Sequence, residues 1–477
     1  MLFNSYLFML FFLPLCLVGW FVSSARTAPL FLLAMSLWFY AANDPYGLPV
    51  LIASALINWY IGRRLTQTPS KRWLILGLAV NLGTLGLLKY LNFILHNLNR
   101  FIGTYFGAVS LLLPLGISFF TFQQVAYLVD AYHGKAEPYA LPEYALFVSF
   151  FPYVMSGPIA FHSEIIPQLR NPQNRTLNWE NFARGLTLIS YGLAKKVLLA
   201  DILGQAVNVA WNDVQHLSTA TALVAMFSYT FQLYFDFSGY CDIATGTAKM
   251  IGIDLPRNFN SPYRACSITE FWKRWHMTLT AFLRECVYFP LGGSRRGQGR
   301  TYLNILVVYL ISGIWHGAGW TFIVWGLLHG AAQVTERLWG GRRDALPKWL
   351  RWVMTFFFLN LAWVFFRAPD ISAAAALLKT AVTGGFGGIR PWLVNGLFRR
   401  EFSALELLAP AVRPYTTYLR VALILGAGLL TALWPRNTVR QMEVFRPTVR
   451  SCLTTALLAA WSILSFTGVV TFIYSNF

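Results

Sequence analysis

Thr301-Tyr-Leu-Asn-Ile-Leu-Val-Val-Tyr-Leu-Ile-Ser-Gly-Ile-Trp-His-Gly-Ala-Gly-Trp-Thr-Phe-Ile-Val-Trp-Gly-Leu-Leu-His-Gly-Ala-Ala-Gln-Val334 runs for 34 residues without a charge. Arg295, Arg296 and Arg300 precede it, and Glu336-Arg337 and Arg342-Arg343 follow. Basic residues concentrate on the cytoplasmic face of membrane proteins, so basic flanks at both ends contradict a single crossing. The pattern predicts two shorter helical pieces that meet near Gly317-Ala318-Gly319, re-entrant or doubled back, with His316 held at depth. Gly313, Gly317 and Gly319 strip side chains from its neighbourhood, which reads as open space beside the imidazole.

Immediately upstream, residues 257–300 change character. Eight basic residues (Arg257, Arg264, Lys273, Arg274, Arg284, Arg295, Arg296, Arg300) alternate with Trp, Phe, Tyr and Leu. Such a mixture predicts helices lying at the cytoplasmic interface rather than a span. Glu270 and Arg274 have the i,i+4 spacing of a helical ion pair. His276 falls one turn beyond Trp272 on the same presumed helix.

The whole chain is consistent with a bilayer protein. Of 477 residues, 56% are hydrophobic, 17% aromatic and only 12% charged, and mean hydropathy is +0.50. Apolar runs at Tyr6–Val22, Trp73–Leu88, Tyr105–Phe120, Trp352–Phe366, Leu419–Trp434 and Cys452–Tyr474 approach or exceed the ~20 residues of a crossing helix. Leu113-Pro-Leu-Gly116 and Met155-Ser-Gly-Pro158 interrupt the middle of the chain, as in broken or re-entrant helices. The fold class is all-α and polytopic, a single integral-membrane unit. A net charge of +19 raises the question of nucleic acid. The basic residues sit in short loops such as Arg63-Arg64 and Lys71-Arg72, which fits anionic lipid headgroups instead.

No Lys or Arg precedes Arg26, so Tyr6–Val22 reads as a retained first helix with the N-terminus outside the cytoplasm. The Asn43-Asp44 loop would again be outside and the Arg63–Arg72 loop inside. The five cysteines are scattered without a C-x-x-C pair, so neither a zinc site nor a disulfide framework is indicated.

Chemistry narrows to a few residues. Imidazole is the side chain best suited to moving protons near neutral pH, and polar groups in apolar surroundings raise a suspicion of function. The ordinary reading of His316 is a buried histidine bonded to a carbonyl; the functional reading is a general base between the apolar walls of Trp315 and Trp320. For His276 the two readings are an aromatic-belt residue and a site contact beside Lys273 and Arg274. His96, His133, His162 and His216 read as loop or interface residues. His329, thirteen residues after His316, could share its site only if the helix breaks between them, and otherwise has a structural or supporting role. There is no G-x-S-x-G elbow, no H-x4-D pattern and no phosphate-binding loop. Asp236 and Asp242 are intramembrane carboxylates that would equally suit a proton-coupled transporter.

Pro114-Leu-Gly-Ile-Ser-Phe-Phe-Thr-Phe-Gln123, Gly192-Leu-Ala-Lys-Lys196, Phe235-Asp-Phe-Ser-Gly-Tyr240, Arg257-Asn-Phe-Asn-Ser-Pro-Tyr263, Glu270-Phe-Trp-Lys-Arg-Trp-His276, Tyr288-Phe-Pro-Leu-Gly-Gly293, Gly313-Ile-Trp-His-Gly317 and Trp325-Gly-Leu-Leu-His-Gly330 together resemble the membrane-bound O-acyltransferases. The likeness is to the bacterial branch that includes alginate O-acetylation and teichoic-acid D-alanylation proteins. It extends to about residue 370, and the basic run 436–450 carries no assignment.

The resemblance implies about eleven transmembrane helices, with re-entrant and interfacial helices, around a central tunnel and a thin centre where a cytoplasmic tunnel and an extracytoplasmic funnel nearly meet. It implies His316 and His276 as catalytic residues, and Trp315, Trp320, Asp236, Trp272 and Gly317 as tunnel or supporting residues. Lys273, Arg274, Arg295 and Arg296 would form a basic approach for acetyl-CoA, whose phosphates suit such a surface. No tightly bound cofactor and no metal are expected. The implied activity is acetyl transfer from cytoplasmic acetyl-CoA across a bacterial inner membrane. A separate periplasmic partner, SGNH-type or other, would serve a polysaccharide of the alginate type, with cellulose or peptidoglycan as further acceptors. A lipid or D-alanyl acyltransferase and a proton-coupled transporter are the alternatives.

Overall fold

The computed structural model describes residues 1–477 apart from 386, 395, 435, 436, 467–471 and 474–477. It is built of helices and their connections, with no strand among the described residues. The uncharged stretch forms two helices, Gln298–His316 and Trp320–Trp339, of 19 and 20 residues. They double back at Gly317-Ala318-Gly319, as the charge pattern predicts.

Glycine lets the two arms touch. A Cβ on Gly313 would sit 2.3 Å from the Phe322 carbonyl oxygen, and one on Gly326 would sit 2.4 Å from that of Tyr309. Both obstacles are backbone, so neither can swing aside. Gly326→Ala is therefore expected to push the arms apart and destabilise the fold by about 1–3 kcal/mol, as overpacking does. Thermal unfolding in detergent measures this, and an unchanged midpoint would refute the close-packed hairpin.

Among the described residues, three helices are long and apolar enough to cross a bilayer by length and composition: Lys71–Ile102, Lys348–Arg367 and Pro410–Leu433. Phe8–Val22, Ala28–Ala41, Ile371–Thr383 and Val449–Leu464 are shorter apolar helices. Eleven crossings stays a figure implied by likeness rather than one these helices establish. The C-terminal run Cys452–Tyr474 is helical only to Leu464, and much of its far end lies outside the described residues.

The Tyr105–Phe120 run is not a helix. Residues 103–116 are irregular and mostly exposed, and a helix begins only at Ile117, after Gly116 at φ +70°. Leu113-Pro-Leu-Gly116 ends the irregular stretch: proline cannot supply an amide and Gly116 adopts the left-handed conformation. The other break behaves as expected of re-entrant backbone. Residues 150–160 are non-helical yet wholly buried, which is tolerable at depth only because protein surrounds them.

Residues 257–300 are packed more deeply than their composition suggests. Short helices at Ile268–Trp272 and Met277–Leu283 plunge inward, and Phe271, Trp272, Trp275, His276, Leu279 and Phe282 are buried. The alternation of basic and aromatic residues marks a segment with one solvated side and one core side. The expected Glu270–Arg274 ion pair is present at 2.8 Å.

Two apolar cores result. One gathers the N-terminal helices around Phe8, Phe12, Phe39 and Phe151. The other surrounds Trp272, Trp275, Trp315, Trp325 and Trp363. The 32-residue helix Thr219–Met250 contributes to both cores.

Hydrogen bonds place the chain ends of the spans. The Met1 amine donates to Asn43 Oδ1 at 2.8 Å and Leu115 N–H to Asp44 Oδ2 at 2.9 Å. Those segments therefore share one face. Arg175 donates to the Ala25 carbonyl, and Trp59 Nε1 donates to Tyr139 O at 2.9 Å.

Candidate functional site

His316 is the last residue of its helix and is 1% exposed. Its ring lies edge-on to Trp315 (4.7 Å between centroids), Trp325 (5.1 Å) and Phe366 (5.1 Å). Trp320 does not wall the site: it is 48% exposed, and its Nε1 donates to Asn97 at 2.9 Å. Trp325 and Phe366 take the place expected of it. The hairpin turn sends residue 320 outward while residue 325 returns one and a half turns down the second arm.

The glycines hold less open space than expected. A Cβ on Gly317 would lie 2.1 Å from the Phe322 ring. Gly317 therefore admits a phenylalanine, and Gly313 admits the second helix. Their role is close packing that fixes where the first arm ends.

His276 comes from a different segment and faces His316 with 6.4 Å between ring centroids. Helix Ile268–Trp272 ends before it, so His276 is not one turn along the same helix as expected. It adopts φ +42°, a left-handed conformation uncommon outside glycine, as the junction to Met277–Leu283.

Asn258 holds this junction from behind. Its carbonyl oxygen accepts from Met277 N at 3.0 Å, and its side-chain Oδ1 accepts from Thr278 N at 3.3 Å and Thr278 Oγ1 at 2.9 Å. His276 Nδ1 lies 3.0 Å from the same Oδ1. An oxygen that already takes a backbone N–H is an acceptor, so Nδ1 carries the proton and Nε2 is the ring's lone-pair nitrogen. Phe119 and Phe237 flank the imidazole.

Lys89 escaped notice in the sequence, although a lone lysine in the apolar run Gly86-Leu-Leu-Lys-Tyr90 was a legible signal. It sits on a π-helical turn, a feature frequent at functional sites. Its ammonium donates to Trp315 O at 2.6 Å and Ser118 Oγ at 3.2 Å, while Tyr90 Oη donates to Ile314 O at 2.7 Å. The last carbonyls of a helix lack partners within it. Lys89 and Tyr90 supply them at the turn that carries His316.

The remaining expected residues are distributed unevenly. Trp272 is buried and its Nε1 donates to His329 Nδ1 at 3.2 Å. The helix does break between His316 and His329, and Trp325 stands between them, 4.9 Å from His329. Asp236 belongs elsewhere: it accepts from Lys196 Nζ at 2.7 Å, and Lys196 also pairs with Asp201 at 2.8 Å. Asp242 pairs with Lys195 at 2.5 Å. Lys273, Arg295 and Arg296 are exposed and Arg274 is half-buried in its pair with Glu270.

A cavity adjoins the His276 junction. It measures about 270 Å³ and is lined by Arg184, Lys195, Lys249 and Arg257 together with Asp242, Asp254 and Glu443, and by Asn258, whose Oδ1 meets His276 Nδ1.

Comparison with known proteins fits this arrangement. The profile of the membrane-bound O-acyltransferase family matches residues 117–369, which hold Phe119, Asn258, His276, His316, Trp325 and Phe366. The chain is 43% identical to a peptidoglycan O-acetyltransferase of Helicobacter pylori over 427 residues, covering 82% of this chain and 81% of that protein. It is 38% identical to a probable alginate O-acetylase of Azotobacter vinelandii over 421 residues, covering 85% and 82%. A teichoic acid D-alanyltransferase of Streptococcus thermophilus is 29% identical over 256 residues, 51% of this chain and 61% of that one. With two buried histidines brought face to face inside the matched region, the chain belongs to the membrane-bound O-acyltransferase family, and it is a polytopic membrane acyltransferase.

Proposed function

We propose that this protein transfers acetyl groups from cytoplasmic acetyl-CoA, through a bacterial inner membrane, to a hydroxyl presented on the far side. The observation that carries the reading is the pair His276–His316. The two rings come from separate segments and lie 6.4 Å apart, and Asn258, which meets His276, also lines a cavity of about 270 Å³. His316 acts as general base: it takes the acceptor hydroxyl's proton as the oxygen attacks the thioester carbonyl. The C–S bond then breaks, and the thiolate of CoA leaves with that proton. His276, held with Nε2 as its lone-pair nitrogen, orients the reacting groups. Arg184, Lys195, Lys249 and Arg257 line that cavity and, with the exposed Arg295 and Arg296, are the cations available to the donor's phosphates, the first four by exchange from their carboxylate partners.

On the acceptor side, relatives named for peptidoglycan and for alginate O-acetylation are each matched over four-fifths of this chain. Those names support an exported glycan as the final acceptor, and our reading adds a separate periplasmic acetyl-transfer partner that delivers to it. The N-terminus lies on the periplasmic side of a multi-pass fold. The transporter alternative weakens because Asp236 and Asp242 are each tied to a lysine.

The test is radiolabelled acetyl-CoA with the purified chain in lipid. CoA release that depends on His316 supports the reading. Failure of acetyl-CoA to bind at all would sink it. Lys89→Met is expected to lower turnover by about tenfold to a hundredfold with little change in KM, since small misplacements of reacting groups cost that much. Partial rescue by Lys89→Arg, which can still donate to Trp315 O, checks the positioning role. Full activity in the methionine variant would remove it.

A further inference from the structure

Helices Lys348–Arg367 and Pro410–Leu433 are two of the three helices among the described residues that are long and apolar enough to span a bilayer. The first begins, and the second ends, against the 257–274 segment on the basic face. Trp352 Nε1 donates to Tyr263 O at 2.8 Å, and Ser261 Oγ lies 3.5 Å from Trp434 O. Between the two helix ends lie two adjoining cavities that the acyl-transfer site does not use.

The inner cavity, about 460 Å³, is lined by Arg264, Arg274, Lys348, Arg351 and Arg440 against one carboxylate, Glu270. Arg274 is neutralised by Glu270 and Arg351 by Asp344 at 2.7 Å. Lys348 and Arg440 have no carboxylate partner among the described residues. The outer cavity, about 520 Å³, shares Arg264, Cys266 and Lys348 with it and continues onto Trp349, Trp352 and Leu433. Trp349 and Trp434 are exposed at the two helix ends, the position of an interfacial aromatic belt.

We propose that these joined cavities bind one anionic phospholipid. Its phosphate lies among Lys348, Arg264 and Arg440, and its acyl chains run over Trp349, Trp352 and Leu433. A soluble phosphate would need only the inner cavity; an apolar, Trp-lined continuation toward the bilayer suits a ligand with tails. Basic recesses between spans on the cytoplasmic face are where anionic headgroups are held. Arg440 lies outside the family-matched region 117–369, so the site joins the C-terminal segment to the conserved fold.

The experiment is native mass spectrometry of the full chain in detergent. Phosphatidylglycerol is compared with phosphatidylcholine of identical chains, and 3′,5′-ADP serves as a soluble phosphate competitor. Phosphatidylglycerol is expected to be retained selectively and to resist 3′,5′-ADP. The K348E/R440E variant should lower that retention roughly thirtyfold, from the attraction of two cations near an anionic headgroup. Trp349→Ser should lower it as well, and carries the test if the double variant does not accumulate. Equal retention of the two lipids, retention unchanged in both variants, or displacement by 3′,5′-ADP would each overturn the proposal.

Discussion

His316→Ala is expected to reduce acyl transfer by about 10²–10⁴-fold, the usual contribution of a positioned general base. The alanine also removes a ring packed among Trp315, Trp325 and Phe366. A void there costs stability, by about 2 kcal/mol or more for a large-to-small change in a core. His316→Gln separates the two effects. Glutamine fills most of the imidazole's volume but offers no basic nitrogen. Activity should fall in both variants, while the unfolding midpoint should drop mainly in the alanine. A glutamine variant with wild-type turnover would show that His316 is a packing residue.

The second large effect concerns stability. Lys196 is buried and held by Asp236 and Asp201. Removing one partner of a buried pair leaves a charge uncompensated and costs about 3–5 kcal/mol. Asp201 still faces Lys196, so Asp236→Ala should fall near the lower end. Asp236 Oδ2 also accepts from Ile473 N at 2.7 Å, which ties the C-terminal segment to the core. The triple variant Lys196→Met/Asp236→Leu/Asp201→Asn should recover much of the loss, because it leaves no uncompensated charge of the triad behind. Thermal unfolding with an activity assay checks both. Loss of activity in a triple variant of normal stability would reinstate Asp236 as part of the tunnel.

Several features were legible without coordinates because they follow from solvent alone. Basic flanks around 34 uncharged residues force a doubled-back hairpin, and glycine marks its turn. The Glu270–Arg274 pair follows from helical spacing. Other residues were misread for a common reason. Trp320 and Trp325 are both tryptophans near His316 in sequence, and only the direction of the second arm decides which one touches it. Asp236 is a buried carboxylate, but its partner is forty residues away on another helix. Residues 257–300 look interfacial by composition, and only packing reveals which side of each short helix is buried.

By itself the sequence determined that this is an all-helical membrane protein and that His316 stands at a helix break. Composition and charge suffice for that, since the bilayer sorts residues by transfer free energy regardless of partners. The tertiary structure alone decided that His276 meets His316, that Asn258 fixes the tautomer of His276, and that Lys89 caps the turn. Those contacts join segments from Lys89 to Phe366, and no local periodicity encodes an encounter between distant helices. It is set by backbone approach at Gly313 and Gly326, where the absence of a side chain lets two helices close to van der Waals distance.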